Sequence, residues 1–232
     1  LFRSGDRSKG DRSEHDRHIR PRLGLRIGTD LGAKIARQGA FRAYMQRRRL
    51  RRVYPRADVL IANSTGAAAA LQTLMAGDIP PLHVIPNPRN LARITDLAVA
   101  DPPHPWVMPA NGPLIVSIGR LVRAKDYPTL IRAFRHMHQA ANARLLILGE
   151  GRQRRELQHL IDGFALTDKI QLAGFTQNPF PTLAQADLFV LSSIFEGCPN
   201  ALIEALACGV PCVATDCPSG PREILADGRH GA

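Results

Sequence analysis

Through the second half of the chain, short apolar runs alternate with longer stretches of helical period. Leu114 to Ile118, Ala143 to Leu148, Lys169 to Ala173, Asp187 to Leu191 and Val210 to Ala214 read as strands. Tyr127 to Gln139, Arg152 to Gly163, Pro179 to Gln185, Asn200 to Ala207 and Gly220 to Leu225 read as the helices between and after them. The strands are apolar along their length rather than every second residue, the pattern of strands covered on both faces. Strict alternation of strand and helix implies right-handed crossovers and therefore a doubly wound parallel α/β sheet.

Upstream the pattern is weaker. Helix formers dominate from Ile35 to Val53 and end in an Arg-rich run before Tyr54-Pro55. Asp58 to Asn63 is a short apolar strand; Ser64 is placed to cap an Ala-rich helix ending near Gly77, and His83 to Pro88 is one more short strand. Residues 1–24 mix charge, Ser and Gly with almost no apolar periodicity and are expected to be disordered. The expected organisation is a basic, out-of-context segment 1–34, a remnant of a first domain 35–100, a Pro-rich linker 101–113 and a Rossmann-like domain 114–232. The chain opens on Leu1 and ends just past a helical pattern, so it is expected to be part of a longer protein. In such a piece the strand at 58–63 is expected to lack flanking strands, leaving residues 1 to about 100 poorly packed.

Charge changes this picture in one place. Residues 1–56 hold 17 of the 31 Lys and Arg against 5 of the 20 Asp and Glu, while the other 176 residues hold 14 against 15. The net charge of +11 therefore belongs to one segment, for which an anionic membrane surface is a candidate partner. Nucleic acid is not, because aromatic residues do not interleave with Arg there as a stacking platform requires. No apolar stretch approaches the ~18 residues of a membrane span, so a cytoplasmic location is expected. Cys198, Cys208, Cys212 and Cys217 form no CxxC pair and have no His at ligand spacing, which predicts reduced structural thiols and no metal site.

In a doubly wound sheet, ligands sit beyond the carboxyl ends of the strands. There the first strand of the second half runs into Gly119 and Arg120, with Lys125 in the same loop, a glycine for close backbone approach beside two cations suited to a diphosphate. Gly149-Glu150-Gly151 and Gly174-Phe175 repeat the strand-then-glycine step, without the dinucleotide fingerprint GxGxxG. Glu196 and Glu204 are separated by seven residues across a loop-to-helix junction. Gly197 lies in that loop, and the amides of Asn200, Ala201 and Leu202 are expected to form an anion seat at the helix N-terminus. Glu196 is expected to be free to contact a sugar, and Glu204 to face the same cleft.

These residues resemble the C-terminal domain of the retaining GT-B glycosyltransferases of the family 4 type, the glycosyl transferases group 1. The resemblance runs through GRLVRAKDYPTLIRAF (119–134), LLILGEG (145–151), LAGF (172–175), ADLFVLSS (186–193), EGCPNALIEALACGVPCVATD (196–216) and PSGPREIL (218–225). Residues 54–88 resemble the end of that family's N-terminal domain, and Asp126 stands where many members have Gly. The resemblance implies transfer of a sugar from a nucleotide-diphosphate donor to a glycan or lipid-linked acceptor, with retention and no obligatory metal or other cofactor. It implies that Arg120 and Lys125 neutralise the diphosphate, Glu196 contacts the sugar, Glu204 holds the ribose and the base lies near Gly174 and Phe175. A non-catalytic nucleotide-sugar-binding module and a GT-B sugar-nucleotide epimerase are the alternatives.

Overall fold

The computed structural model describes residues 22–77, 79–102, 104–107 and 112–232. The expected disorder of 1–24 thus falls mostly outside the described residues, as do residues 103 and 108–111 of the expected linker.

The first unit contains β1 (Gly24–Ile27), α1 (Leu31–Ala36), α2 (Ala40–Val53), β2 (Val59–Ala62), α3 (Thr65–Met75) and β3 (Leu82–Val84). Its sheet is parallel, in the order β1-β2-β3. Three expectations are corrected here. Part of the segment expected to be out of context forms β1 and α1, because Leu25 and Ile27 bring apolar faces to the sheet and the Asp30 side chain accepts from the Ala33 amide (2.8 Å), capping α1. The strand expected to be unflanked, β2, is paired on both sides, with Leu60 opposite Leu25 and Leu82. Leu60, Ile35 and Leu71 are fully buried in a small core of their own. The single helix expected from Ile35 breaks at Gly39, which leaves α1 on the core and lets α2 turn its Arg-rich side outward. The Ala-rich helix ends as expected near Gly77, with Ala76 in the left-handed region (φ 47°) as its terminator.

A linking helix, α4 (Leu91–Ala98), leads to the second unit. Although expected to belong with the first unit, it docks on the second: the Asn178 side-chain amide donates to the Leu97 carbonyl at 3.0 Å.

The second unit comprises β4 (Leu114–Ile118), α5 (Tyr127–Ala141), β5 (Arg144–Leu148), α6 (Arg154–Gly163), β6 (Ile170–Gly174), α7 (Phe180–Ala184), β7 (Leu188–Leu191), α8 (Asn200–Ala207), β8 (Cys212–Ala214) and α9 (Pro221–Ile224). All five strands are parallel, in the order β6-β5-β4-β7-β8. Alternate residues feed opposite faces. Ile115, Leu145 and Ile147 pack under α5 and α6 with Tyr127, Phe134 and Leu157, whereas Val116, Leu146 and Leu148 pack with Phe189, Leu183 and Leu202 on the other side. This is the doubly wound sheet expected from the apolar strands. Its chain order reverses between β4 and β7, which opens a crevice at their carboxyl ends.

The units meet at that crevice. The Asp30 amide donates to the Glu196 carbonyl at 2.8 Å, and the Glu223 carboxylate accepts from the Thr65 and Gly66 amides, both at 2.9 Å, closing the N-terminus of α3.

Candidate active site

Three glycine loops form one edge of the site. A Cβ on Gly149 (φ 145°) would stand 2.0 Å from the Gly119 carbonyl oxygen, and one on Gly151 would stand 2.4 Å from that of Leu121. The loops after β4 and β5 therefore touch backbone to backbone, which only glycine permits. The Gly149 amide donates to the Gly174 carbonyl at 2.7 Å, joining the loop after β6. Together they border a cavity of about 430 Å³ whose walls include Gly119, Arg120, Glu150 and the 74% exposed Phe175. The strand-then-glycine repeats noted in the sequence thus come together in space.

Across the crevice, the Lys125 ammonium donates to Glu196 Oε1 at 2.5 Å, with both side chains largely buried. Lys125 reaches it because Asp126, at φ 46°, turns the chain into α5. Glycine adopts that conformation without cost, and Asp tolerates it better than most residues. The Thr129 hydroxyl donates to the Asp126 carboxylate (2.8 Å) and holds it there. A Cβ on Gly119 would lie 2.9 Å from Lys125 Cε, so the glycine also makes room for the ammonium's stem. Glu196 accepts a second bond from the Ser193 hydroxyl at 2.6 Å. The carboxylate expected to be free for a sugar is therefore engaged on Oε1 by both Lys125 and Ser193. Gly197 is buried against the first unit, where a Cβ would come within 2.8 Å of the Gly28 carbonyl and 2.6 Å of Asn63 Oδ1.

At the start of α8, the Leu202 amide donates to the Pro199 carbonyl (3.2 Å), a tight first turn that removes it from the expected anion seat. Asn200 and Ala201 lie ahead of that bond, half-buried. The Asn87 side chain donates to Asn200 Oδ1 at 2.6 Å and to the Cys198 carbonyl at 3.2 Å. Two residues on, Arg89 Nε lies 3.4 Å from Glu204 Oε1. Burial pushes the Glu204 carboxyl above the ordinary range, and the Arg89 charge opposes that shift. Nearby, burial raises the Tyr127 hydroxyl pKa; the phenol donates to the Gly119 carbonyl at 3.1 Å. Burial likewise takes the Cys217 thiol up to about 11, so this unpaired cysteine is a neutral thiol at physiological pH.

The structure thus packs Gly119 on Lys125 and pairs Lys125 with Glu196, with Arg120 and Phe175 on the wall of one cavity. Asn200 and Glu204 are instead held by Asn87 and Arg89, Ala201 leans on the core beneath α8, and Gly197 packs against the first unit. Sequence reasoning missed Asn87, Arg89 and Ser193. The two tandem serines closing β7 were a signal for the last; Asn87 and Arg89 lie in a Pro-broken loop with no periodicity to mark them.

Two parallel α/β units with a crevice between them, floored by strand-end glycines and loop cations, define a GT-B fold. The chain belongs to the glycosyl transferases group 1, whose family model matches residues 112–232. It is 35% identical over 179 residues to a Campylobacter jejuni protein, N-acetylgalactosamine-N,N'-diacetylbacillosaminyl-diphospho-undecaprenol 4-alpha-N-acetylgalactosaminyltransferase, a match that covers 77% of this chain and 47% of that protein. It is 31% identical over 176 residues to the Rhizobium meliloti lipopolysaccharide core biosynthesis glycosyltransferase LpsE, covering 75% of this chain and 48% of that one. The chain therefore spans about half the length of these relatives. Among solved structures, a Staphylococcus aureus TarM mutant in complex with Fondaparinux, alpha-GlcNAc-glycerol and UDP superposes with a TM-score of 0.73 at 20% identity, over 93% of this chain and 41% of that one. Anabaena HepE in complex with UDP and glucose superposes at 0.72 and 20% identity, over 88% of this chain and 55% of that one.

Proposed function

We propose that this chain carries the donor-binding part of a family 4 type glycosyltransferase, which moves a hexosyl-type sugar from a nucleotide-diphosphate donor to a glycan or lipid-linked acceptor with retention. The observation that carries the reading is the Lys125–Glu196 pair at 2.5 Å, which ties the loop after β4, where Arg120 also lies, to the loop that leads into α8. A donor diphosphate entering there offers Lys125 a second anion and releases Glu196 toward the sugar. Arg120 and Lys125 then stabilise the charge that develops on the leaving diphosphate, with the Asn200 and Ala201 amides on the distal phosphate. Glu196 accepts hydrogen bonds from the sugar's hydroxyls and supports positive charge at the anomeric carbon. Glu204 accepts from the ribose, and the base lies by Gly174 and Phe175. Cations already supply the countercharge, so no metal is obligatory.

Calorimetric titration with nucleoside diphosphates tests the reading. Lys125→Ala is expected to weaken binding by about 1.5–3 kcal/mol, the scale for hydrogen bonds to charged groups. Turnover by the enzyme should survive chelation. Unchanged affinity in the variant, or activity lost to chelator and restored by magnesium, counts against it.

The same reading puts the enzyme in the cytoplasm, peripheral at the inner membrane face. Its support is the outward side of α2: Leu50 is buried, whereas Phe41 is 76% and Tyr44 60% exposed, amid Arg47, Arg48, Arg51 and Arg52. Apolar rings beside guanidinium groups suit an anionic lipid surface. Among the described residues no helix is long and apolar enough to cross the bilayer. Vesicle flotation should show binding to anionic lipid that is lost in Phe41→Ser/Tyr44→Ser; equal recovery with neutral vesicles would remove the membrane from the proposal.

A further inference from the structure

Arg120 also lines a second cavity, of about 1000 Å³, where the two units face each other. Its cations come from both: Lys34 and Arg37 on or next to α1, Arg120 and Arg123 from the loop after β4, and Arg152 from the loop after β5. The carboxylate in the wall, Glu150, is paired with Arg154 at 2.9 Å. None of the five cations lies within 4.0 Å of a carboxylate among the described residues. Arg37 is steadied instead by the Phe195 ring, 5.9 Å from its centroid. Like charges gathered in a concave site repel one another and focus a positive potential into it, an arrangement an anion of two or more charges relieves. Guanidinium groups in particular meet phosphate oxygens two at a time.

We propose that this cavity seats a phosphate-bearing group of the acceptor, a diphosphate or phosphate ester. The proposal rests on the donor reading above. With the donor's phosphates on one face of Arg120, an anion in the larger cavity lies one side chain away, and contacts from both units hold it across the crevice from the donor. The uncharged walls, Thr29, Val122, Ala124 and Phe195, leave space for the sugar or chain the phosphate carries.

Inorganic pyrophosphate is the probe, with UDP titrated in parallel. In the protein two pyrophosphate sites are expected, one competed by UDP and one not. The UDP-insensitive site should survive Lys125→Ala and weaken about ten- to hundredfold in Arg37→Gln/Arg152→Gln, the equivalent of a charge-assisted hydrogen bond, while UDP affinity stays unchanged. Arg37→Lys/Arg152→Lys, which keeps the charge, should retain most of the binding and guards against misfolding as the cause. A single UDP-competed site, or an unaltered second site in the Gln variant, overturns the proposal. Loss of UDP binding in Lys125→Ala alone speaks only to the donor reading, and loss in the Arg37/Arg152 pair alone only to this one. Displacement by a short polyprenyl diphosphate identifies a lipid carrier and displacement by a phosphorylated oligosaccharide a soluble glycan; displacement by neither overturns the acceptor assignment.

Discussion

The two units use the same parallel β/α grammar with unequal means. The second has five strands with apolar cores on both faces and strand-end loops in backbone contact. The first has three strands, one modest core and a second cluster of only three buried alanines (Ala62, Ala67 and Ala68), and its longest helix keeps only Leu50 buried. Part of its order comes from outside: Glu223 of the second unit closes α3, and Asp30, which caps α1, donates its own amide to the Glu196 loop. A small α/β layer is thus kept in shape partly by the surface it shares with a larger one, and that shared surface is where the proposed chemistry lies.

This inequality can be broken from either side. The larger effect is expected in the second unit, from Gly149→Ala. The new Cβ meets the Gly119 oxygen at 2.0 Å and the residue must keep φ 145°, so overpacking and backbone strain together are expected to cost about 2–6 kcal/mol. A denaturant melt followed by fluorescence of Trp106, which packs against the second unit's core, checks this; a loss under about 1 kcal/mol would mean that the glycine loops are not rigidly apposed. In the first unit, Leu60→Ala empties a fully buried site and is expected to cost ~2–5 kcal/mol. Hydrogen exchange should quicken through β1 to β3 and at the Glu196 loop, while β4 and β5 keep their protection. Uniform quickening over both sheets would show instead that the units unfold as one.

The contrast also explains what could be read from the sequence. Strands buried on both faces, such as Leu145 to Leu148, announce themselves because every position must be apolar. The doubly wound sheet and the glycine-edged crevice follow from that. By contrast, Gly24–Ile27 is a short strand holding one Arg and one Gly, and only pairing with β2 gives it order. Within the candidate site, residue types that chemistry demands at strand ends were visible, and their present partners were not. Nothing local to Glu196 foretells Lys125 on its Oε1, because that contact joins loops 71 residues apart. Nothing near Glu204 foretells Arg89, which arrives through a Pro-rich loop docked only by tertiary contacts. The Leu202 amide departs from the expected anion seat because a tight first turn takes a donor that a regular helix would leave open.

The clasp on Glu196 bears on how such enzymes can be recombined. Its main-chain oxygen accepts from the Asp30 amide (2.8 Å) and from the Ser219 hydroxyl (2.9 Å), and its neighbour Gly197 rests on the Gly28 carbonyl. A hybrid gene spliced at the Pro-rich stretch 101–113 would cut where the polypeptide is simplest to join. It would nevertheless set the second unit's carboxylate against a foreign partner for that carbonyl. The transferable module is therefore a three-dimensional patch contributed by residues 28–30, 196–197 and 219, and grafts that move these positions together should preserve the geometry of the Glu196 loop that a cut at the linker scrambles.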